Sequence, residues 1–222
     1  MCAEDASGRM RRAWDLKNYA KMDIKLFGIW SFDGVEVREE SLAKYICLKP
    51  VYLPHTGGRN TKKQFEKSKI SVVERLANKL MRSGNGSKKV QGKFIRDGGN
   101  TGNKQNALNI IRGAFKIIEK REKKNPIQVL VDAISNAGPR EESTVIIYGG
   151  IKYPQPVDVS PQRKIDFALK HLALGAFAAS YMSKQSIENA LADEIINASH
   201  NNNKSYAISR KEEVERIAHS AR

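Results

Sequence analysis

The feature that most constrains this fold is a set of apolar stripes at helical spacing. The clearest stripe repeats every three or four residues and comprises Ala107, Leu108, Ile111, Ala114, Phe115 and Ile118. Similar stripes run through residues 165–179 and 187–198. Amphipathic helices of this kind cover their apolar faces by packing on one another, so the chain is predicted to be mainly α-helical.

Two helix starts carry the same local signal. Asn125 stands before Pro126, and Ser160 stands before Pro161. A short polar side chain can accept a hydrogen bond from the first turn, and proline is pre-organised for the first helical position. We therefore expect helices to begin at Pro126 and Pro161.

Other boundaries are predicted from caps and turns. A helix over residues 70–84 is expected to end at its last residue, a glycine. Ser209 with Glu212 forms a capping box for the C-terminal helix. Near the N-terminus, the turn signal Asp33-Gly34 predicts a small hairpin.

A longer β-hairpin is predicted over residues 144–158, with Gly149-Gly150 as its two-residue turn. Glycine suits both turn positions because each needs a positive φ. This turn sets a register in which Tyr148 lies opposite Ile151. Both faces of the ladder carry apolar side chains, and one face either packs on the helices or contacts nucleotides or another protein.

These elements divide the chain into three parts. Residues 1–22 are expected to form a flexible tail, and residues 23–58 a small N-terminal extension with short strands and a helix. Residues 59–222 are expected to form the main domain. The predicted fold class is mainly α: a helical bundle of about six helices with a protruding β-hairpin arm.

Positive charge is concentrated in one segment. The chain carries 39 Lys and Arg against 24 Asp and Glu, a net charge of +15. Residues 59–104 hold 13 of the basic and 3 of the acidic side chains. A concentrated basic block attracts a polyanion, because each neutralised phosphate releases counterions. Nucleic acid is therefore the predicted class of partner.

The basic side chains of this block are spread over predicted helix and loop alike. They are Lys62, Lys63, Lys67, Lys69, Arg75, Lys79, Arg82, Lys88, Lys89, Lys93 and Arg96. No major-groove recognition helix, zinc finger or RNA-recognition motif stands out. We therefore expect contact with irregular folded RNA through its shape and phosphate positions.

The sequence gives little support to catalysis, metal binding or membrane insertion. Cys2 and Cys47 cannot form a disulfide framework, and the scattered histidines lack a second ligand at metal spacing. The longest apolar run is far shorter than the ~20 residues of a membrane span. We expect no enzyme activity, cofactor, metal, small-molecule substrate or membrane. A free-standing RNA- or DNA-binding regulator is the alternative to a structural role.

Four segments of the chain form long, ordered motifs: "NPIQVLVDAISNAGPREEST", "VDVSPQRKIDFAL", "IENALADEIINAS" and "NKSYAISRKEEVERIAHSAR". These segments resemble the universal small-subunit ribosomal protein seven family, whose eukaryotic members are called small-subunit protein five. The N-terminal extension of the archaeal–eukaryotic branch is similar to "IKLFGIW" and "YLPHTGGR". The resemblance extends from about residue 24 to the C-terminus.

The resemblance implies both a fold and a function. Family members fold as a helical bundle with a β-hairpin arm, bind the 3′ major (head) domain of small-subunit rRNA and nucleate head assembly. Their hairpin lies near the exit site, close to the departing tRNA and to mRNA. This chain is therefore expected to be a structural constituent of the small subunit, with neighbouring head and platform proteins as partners. A cytoplasmic ribosomal location is expected, with nucleolar passage during assembly if the source is eukaryotic.

The resemblance also implies RNA-facing positions, carried over by motif. They are Arg59, Lys62 and Lys63 after "YLPH", Arg140 in "GPR", Arg163 and Lys164 after "VDVSP", and Lys204, Tyr206, Arg210 and Lys211 in "NKSYAISRK". The implied exit-site tip of the hairpin comprises Tyr148, Gly149, Gly150, Ile151, Lys152 and Tyr153.

The sequence departs from the family at this tip. The family usually places several arginines along the hairpin, whereas Val145, Tyr148, Tyr153 and Pro154 stand at those positions here. An exposed tip is expected to hold RNA by stacking and shape, with Lys152 as its one cation. A tip that packs on protein would weaken the exit-site contact.

Overall fold

A computed structural model describes residues 24–84, 89–93 and 102–222. Within these residues the helices are α1 Glu40–Ala43, α2 Val72–Leu80, α3 Lys104–Glu122, α4 Pro126–Ala137, α5 Pro161–Ser180, α6 Ile187–Ser199 and α7 Tyr206–Ser220. The strands are β1 Glu141–Tyr148 and β2 Ile151–Asp158, and 3₁₀ turns occupy Arg59–Thr61 and Glu66–Lys69. The predicted mainly α class with a hairpin arm is confirmed. None of the helices described is long and apolar enough to cross a bilayer.

The bundle is built around α6, which packs against α3, α4 and α5. The stripe predicted on α3 faces this core, and Phe115 and Ile118 are fully buried there. Burying each such side chain contributes about 1.5–3 kcal/mol, so the helical faces recognised in the sequence supply most of the core.

The two predicted helix starts are found where expected, at Pro126 and Pro161. Asn125 Oδ1 accepts a hydrogen bond from the N–H of Ile127 at 3.1 Å. Its Nδ2 donates to the carbonyl of Ser31 at 2.8 Å, so one side chain both caps α4 and holds the N-terminal extension. The side chain of Ser160 makes no capping bond.

The capping box predicted at Ser209 and Glu212 is wrong, because α7 begins earlier, at Tyr206. Ser205 is the N-cap, and its Oγ accepts from the N–H of Ile208 at 3.4 Å. The same hydroxyl donates to the buried carboxylate of Glu194 at 2.7 Å. A partner on α6 therefore decides where α7 starts.

The hairpin predicted about Asp33-Gly34 is also wrong, since the one sheet among the described residues pairs β1 with β2. The N-terminal bridge instead joins Leu26 to Trp30, around a turn in which Gly28 has a φ of +75°. Trp30 is buried against α3, where its ring meets Phe115 edge-on at 5.5 Å. Packing of these aromatic side chains outweighs pairing across the later turn.

One helix end falls short of its predicted position. Helix α2 ends at Leu80 rather than at the glycine of position 84. The helix expected in the N-terminal extension is found at Glu40–Ala43. The predicted tail at residues 1–22 lies outside the described residues.

Candidate nucleic-acid interface

A buried carboxylate anchors the loop that leads into the basic block. Glu74, on α2, is 1% exposed. Its Oε1 accepts hydrogen bonds from the backbone N–H and the hydroxyl of Thr56, both at 2.9 Å. Lys104 Nζ donates to the same oxygen at 2.5 Å. One carboxylate thereby joins the loop, α2 and the start of α3.

The ionised form of Glu74 is favoured in this setting. Burial raises the pKa of Glu74, but the hydrogen bonds from Lys104 and Thr56 outweigh burial and lower the pKa below its ordinary value. The loop is therefore tied to the bundle by a charge that persists at neutral pH.

The loop presents three of the predicted cations to solvent. Arg59 lies in the first 3₁₀ turn, and Lys62 and Lys63 follow it; all three side chains are exposed. No carboxylate of the described residues forms an ion pair with any of them. Their positive charge is thus available to a phosphate backbone.

Three further cations converge on one carboxylate, that of Asp166 on α5. Lys67 Nζ lies 2.5 Å from it, Arg75 Nη2 3.3 Å and Lys79 Nζ 3.4 Å. Arg75 is 5% exposed and also donates to the carbonyl of Tyr45 at 3.2 Å. Arg75 therefore stabilises the junction of α2 and α5, whereas Lys67 and Lys79 keep partly exposed side chains.

The Asp166 cluster remains cationic overall. Burial raises the pKa of Asp166, but the hydrogen bond from Lys67 and the charges of Lys79 and Arg75 lower it below its ordinary value. Burial lowers the pKa of Lys79, which Asp166 partly offsets. Three cations facing one ionised carboxylate leave an excess positive charge beside the loop.

The remaining cations of the basic block have varied surroundings. Lys69 pairs with Glu66 at 3.7 Å, and Arg82 is exposed. Lys93 Nζ donates to the carbonyls of Ala178 and Tyr181, at 2.9 and 3.0 Å, and so satisfies carbonyls at the C-terminal end of α5. Lys89 is exposed, and the predictions at Lys88 and Arg96 lie outside the described residues.

A second group of predicted residues surrounds the base of the hairpin. Arg163 makes a two-pronged contact with Glu142 of β1, at 2.6 and 3.0 Å, and this carboxylate raises the pKa of Arg163. Lys164 pairs with Glu39 at 2.8 Å. The side chain of Arg140 is exposed.

The predicted C-terminal residues lie on or just before α7. Lys204 is exposed, and Tyr206 is half-buried. Arg210 pairs with Glu213, one turn along the helix. Lys211 Nζ donates to the carbonyl of Asn136 at 2.9 Å, near the end of α4. Of this group, Lys204 is the cation most open to an external anion.

The histidine on α5 belongs to the core. His171 is buried between the rings of Phe167 and Tyr206, whose centroids lie 4.2 and 5.7 Å away. Burial, with smaller contributions from Lys170 and Arg210, lowers the pKa of His171 to about 3. No group of three or more His, Cys, Asp or Glu gathers at metal-binding distance within the described ranges.

The hairpin forms in the predicted register. Tyr148 lies opposite Ile151, and the ladder continues to Glu141 opposite Asp158. Gly149 and Gly150 have φ values of +56° and +82°, as the predicted turn requires.

The outer half of the hairpin is exposed on both faces. Tyr148 is 79% exposed, and Ile147, whose side chain lies on the opposite face, is 65% exposed. The exposed large apolar residues of the ladder are Val145, Ile146, Ile147, Tyr148, Ile151, Tyr153 and Val157. Packing of the tip on the helices of this chain, one of the two readings of the sequence, is therefore wrong. Contacts of the hairpin with the bundle are made mainly with α7 and involve mainly β1, with Arg163 of α5 paired to Glu142 in addition.

Two acidic side chains that position the cations were missed from the sequence. Glu74 interrupts the apolar stripe of α2 on its buried side, between Val73 and Leu76. A charged residue on an apolar helical face signals a buried ion pair, because such a charge is rarely buried without a partner. Asp166 lies at the edge of the apolar stripe of α5, next to the buried Ile165, and its side chain is 24% exposed.

Comparison with known proteins identifies the family of this chain. The family model for ribosomal protein S7p/S5e matches residues 42–222. A small ribosomal subunit protein uS7 from Nanoarchaeum equitans is 52% identical over 201 residues, covering 90% of this chain and 100% of that protein. The uS7 proteins of Methanococcus maripaludis (strain C6) and Methanococcus vannielii are each 50% identical, and they match 90% and 93% of this chain over their full lengths.

Proposed function

Because this chain belongs to the ribosomal protein S7p/S5e family and is a structural protein of the small ribosomal subunit, not an enzyme, we propose that it binds the 3′ major (head) domain of small-subunit rRNA. The observation that carries the proposal is the solvent-exposed set Arg59, Lys62 and Lys63, on a loop that the buried Glu74 holds in place. Among the described residues no carboxylate pairs with any of these three cations. A pre-positioned set of cations loses little side-chain and loop freedom when it meets phosphates. Binding there contributes to nucleation of head assembly.

The phosphate contacts are expected to make binding strongly dependent on salt. Each neutralised phosphate adds about 0.7–0.9 to the slope of log K against log salt. Replacing Lys62 and Lys63 with glutamine should therefore reduce the slope by about 1.5 and weaken binding at every salt concentration.

A filter-binding titration of the full chain with a transcript of the 3′ major domain measures this slope. The matched control is K44Q/K49Q, which removes the same charge from two exposed lysines outside the predicted set. Equal slopes for K62Q/K63Q and the control would contradict the proposal.

The hairpin tip is proposed to contact nucleotides at the exit site, where the departing tRNA and the mRNA pass. Its support is the exposure of Tyr148 and Tyr153 beside Lys152, since aromatic rings stack on bases without a need for charge. Tyr148→Ala should weaken binding of small subunits to exit-site tRNA by about 1–3 kcal/mol, the range for one stacked base, and Tyr148→Phe should retain it. Equal affinity of both variants would argue against stacking.

The cellular setting follows from the same proposal. The protein works in cytoplasmic ribosomes beside neighbouring head and platform proteins, with passage through the nucleolus if the source is eukaryotic. The alternative is a free-standing RNA- or DNA-binding regulator. Sucrose-gradient sedimentation separates the two: the native protein should co-migrate with small subunits, and a ribosome-free pool alone would favour the regulator.

A further inference from the structure

Helix α3 carries a row of cations outside the basic block. Arg112, Lys116 and Lys120 stand four residues apart and are exposed. Successive members lie about 6 Å apart along the helix axis, on the same side of the helix. No carboxylate within the described residues forms an ion pair with any member of the row.

The acidic residues of α3 do not neutralise this row, because each is engaged elsewhere. Glu119 accepts a hydrogen bond from Trp30 Nε1 at 3.1 Å, on the side of the N-terminal extension. Glu122 lies 3.2 Å from the Nε2 of His200, at the end of α6. The acidic side chains of α3 therefore leave the positive charge of the row unpaired, unlike that of Lys67 and Arg163, which pair with carboxylates.

The row borders a cavity of about 480 Å³ between α3 and the first turn of α6. Gly113 and Glu188 also line this cavity. A Cβ at Gly113 would collide with the carboxylate of Glu188. Glycine at this position therefore accommodates the carboxylate of Glu188 against α3, although glycine destabilises a helix interior relative to alanine.

The electrostatics of the cavity favour an anion. Three cations face one carboxylate, that of Glu188. The first turn of α6 adds the partial positive charge of its backbone N–H groups. A row of charges at regular spacing suits a polymer with repeated negative charges better than a compact anion.

We propose that Arg112, Lys116 and Lys120, with the cavity beside them, bind the phosphate backbone of an RNA strand, as a second RNA contact in addition to the loop at residues 59–63. The proposal rests on the proposed rRNA-binding function for the identity of the polyanion. Glu188 repels the strand and limits its affinity.

The test is the salt-dependent binding of the full chain to the 3′ major domain transcript. The triple variant R112Q/K116Q/K120Q should reduce the slope of log K against log salt by about 2–3, or about 0.7–0.9 per phosphate lost. Between 50 and 200 mM salt, each such contact corresponds to about a threefold change in affinity. The control triple K44Q/K49Q/K184Q removes the same charge from three other exposed lysines and should change the slope by less than 1.

A second variant, Glu188→Gln, should strengthen RNA binding, whereas the triple variant should weaken it. Removing the one carboxylate of the cavity should tighten RNA binding about two- to fivefold at 50 mM salt, and less at higher salt because of screening. A merely solvated helix face would leave RNA binding unchanged in both Glu188→Gln and the α3 triple. Circular dichroism of each variant checks that the bundle stays folded.

The outcomes separate this proposal from the proposed function. If R59Q/K62Q/K63Q weakens binding and the α3 triple matches the control, the second contact is wrong and the rRNA function stands. If neither triple differs from the control, the rRNA function itself fails. If the α3 triple leaves transcript binding intact but blocks incorporation into small subunits reconstituted from purified components, the row contacts a protein and the RNA proposal is overturned.

Discussion

The single carboxylate of Asp166 holds three cations, so its removal tests the electrostatic account of the α2–α5 junction. Asp166→Asn keeps the shape of the side chain and removes its charge. Removing one partner of a buried ion pair destabilises a protein by about 3–5 kcal/mol. Arg75 is 5% exposed, but the side chain of Asp166 is 24% exposed, so we expect the lower end, about 3 kcal/mol.

The stability lost in Asp166→Asn should become smaller as the pH falls. The pKa of Asp166 is lower in the folded protein than in the unfolded chain, where it is about 3.9. The stabilisation by Asp166 is therefore fully present above that unfolded value and is lost as the pH falls through the folded pKa. The difference in unfolding free energy between wild type and Asp166→Asn should be constant from pH 5 to pH 8 and should shrink below about pH 4.

Urea unfolding followed by circular dichroism measures both effects, with Asp158→Asn as the control. Asp158 is an exposed acid at the end of β2, and its replacement should change stability by less than about 0.5 kcal/mol. RNA binding should respond in the opposite direction, because the variant frees one positive charge beside the loop. The electrostatic role assigned to Asp166 would be refuted if Asp166→Asn lowered the unfolding free energy by less than about 1 kcal/mol. It would also be refuted if the loss of unfolding free energy did not shrink in acid.

Three further changes test other parts of the fold. Ser205→Ala removes the cap of α7 and a hydrogen bond to the buried Glu194, so urea unfolding should show a loss of about 2 kcal/mol; a loss below 0.5 would contradict the double role of the hydroxyl. Gly150→Val places a β-branched side chain at a φ of +82°, so amide exchange should speed up in the hairpin and stay slow in the bundle; equal rates in the hairpin would contradict the assigned turn. His171, with a pKa of about 3, should show no imidazole titration by NMR between pH 5 and 8, and His171→Phe should remove a stability loss that develops as the pH falls below about 6.5. An imidazole titration by NMR with its midpoint near pH 6.5 would instead mean that the His171 ring is exposed to solvent.

The parts of the fold that were predicted correctly depend on local chemistry. The stripe on α3 and the starts of α4 and α5 follow from side-chain spacing and from proline at the first helical position. The register of the hairpin follows from Gly149-Gly150, because a two-residue turn leaves only one pairing for the flanking strands.

The errors arose where a distant partner competes with a local signal. Ser209 and Glu212 satisfy a capping pattern, yet Ser205 begins α7 because its hydroxyl also reaches Glu194 on α6. The turn at Asp33-Gly34 lacks paired strands, since Trp30 gains more by packing on Phe115. Sequence spacing contains neither contact.

For the candidate site too, some features could be predicted from the sequence and others depend on the tertiary structure. The excess of positive charge over residues 59–104, the family resemblance and the hairpin turn were all present in the residue order, because charge, motif and backbone preference are properties of neighbouring residues. Only the tertiary structure decided which cations remain available to RNA: it buries Arg75 against Asp166 and leaves Lys62 and Arg112 in solvent. It also decided that both faces of the hairpin tip are exposed, because burial depends on how separate elements pack and not on the order of the residues within them.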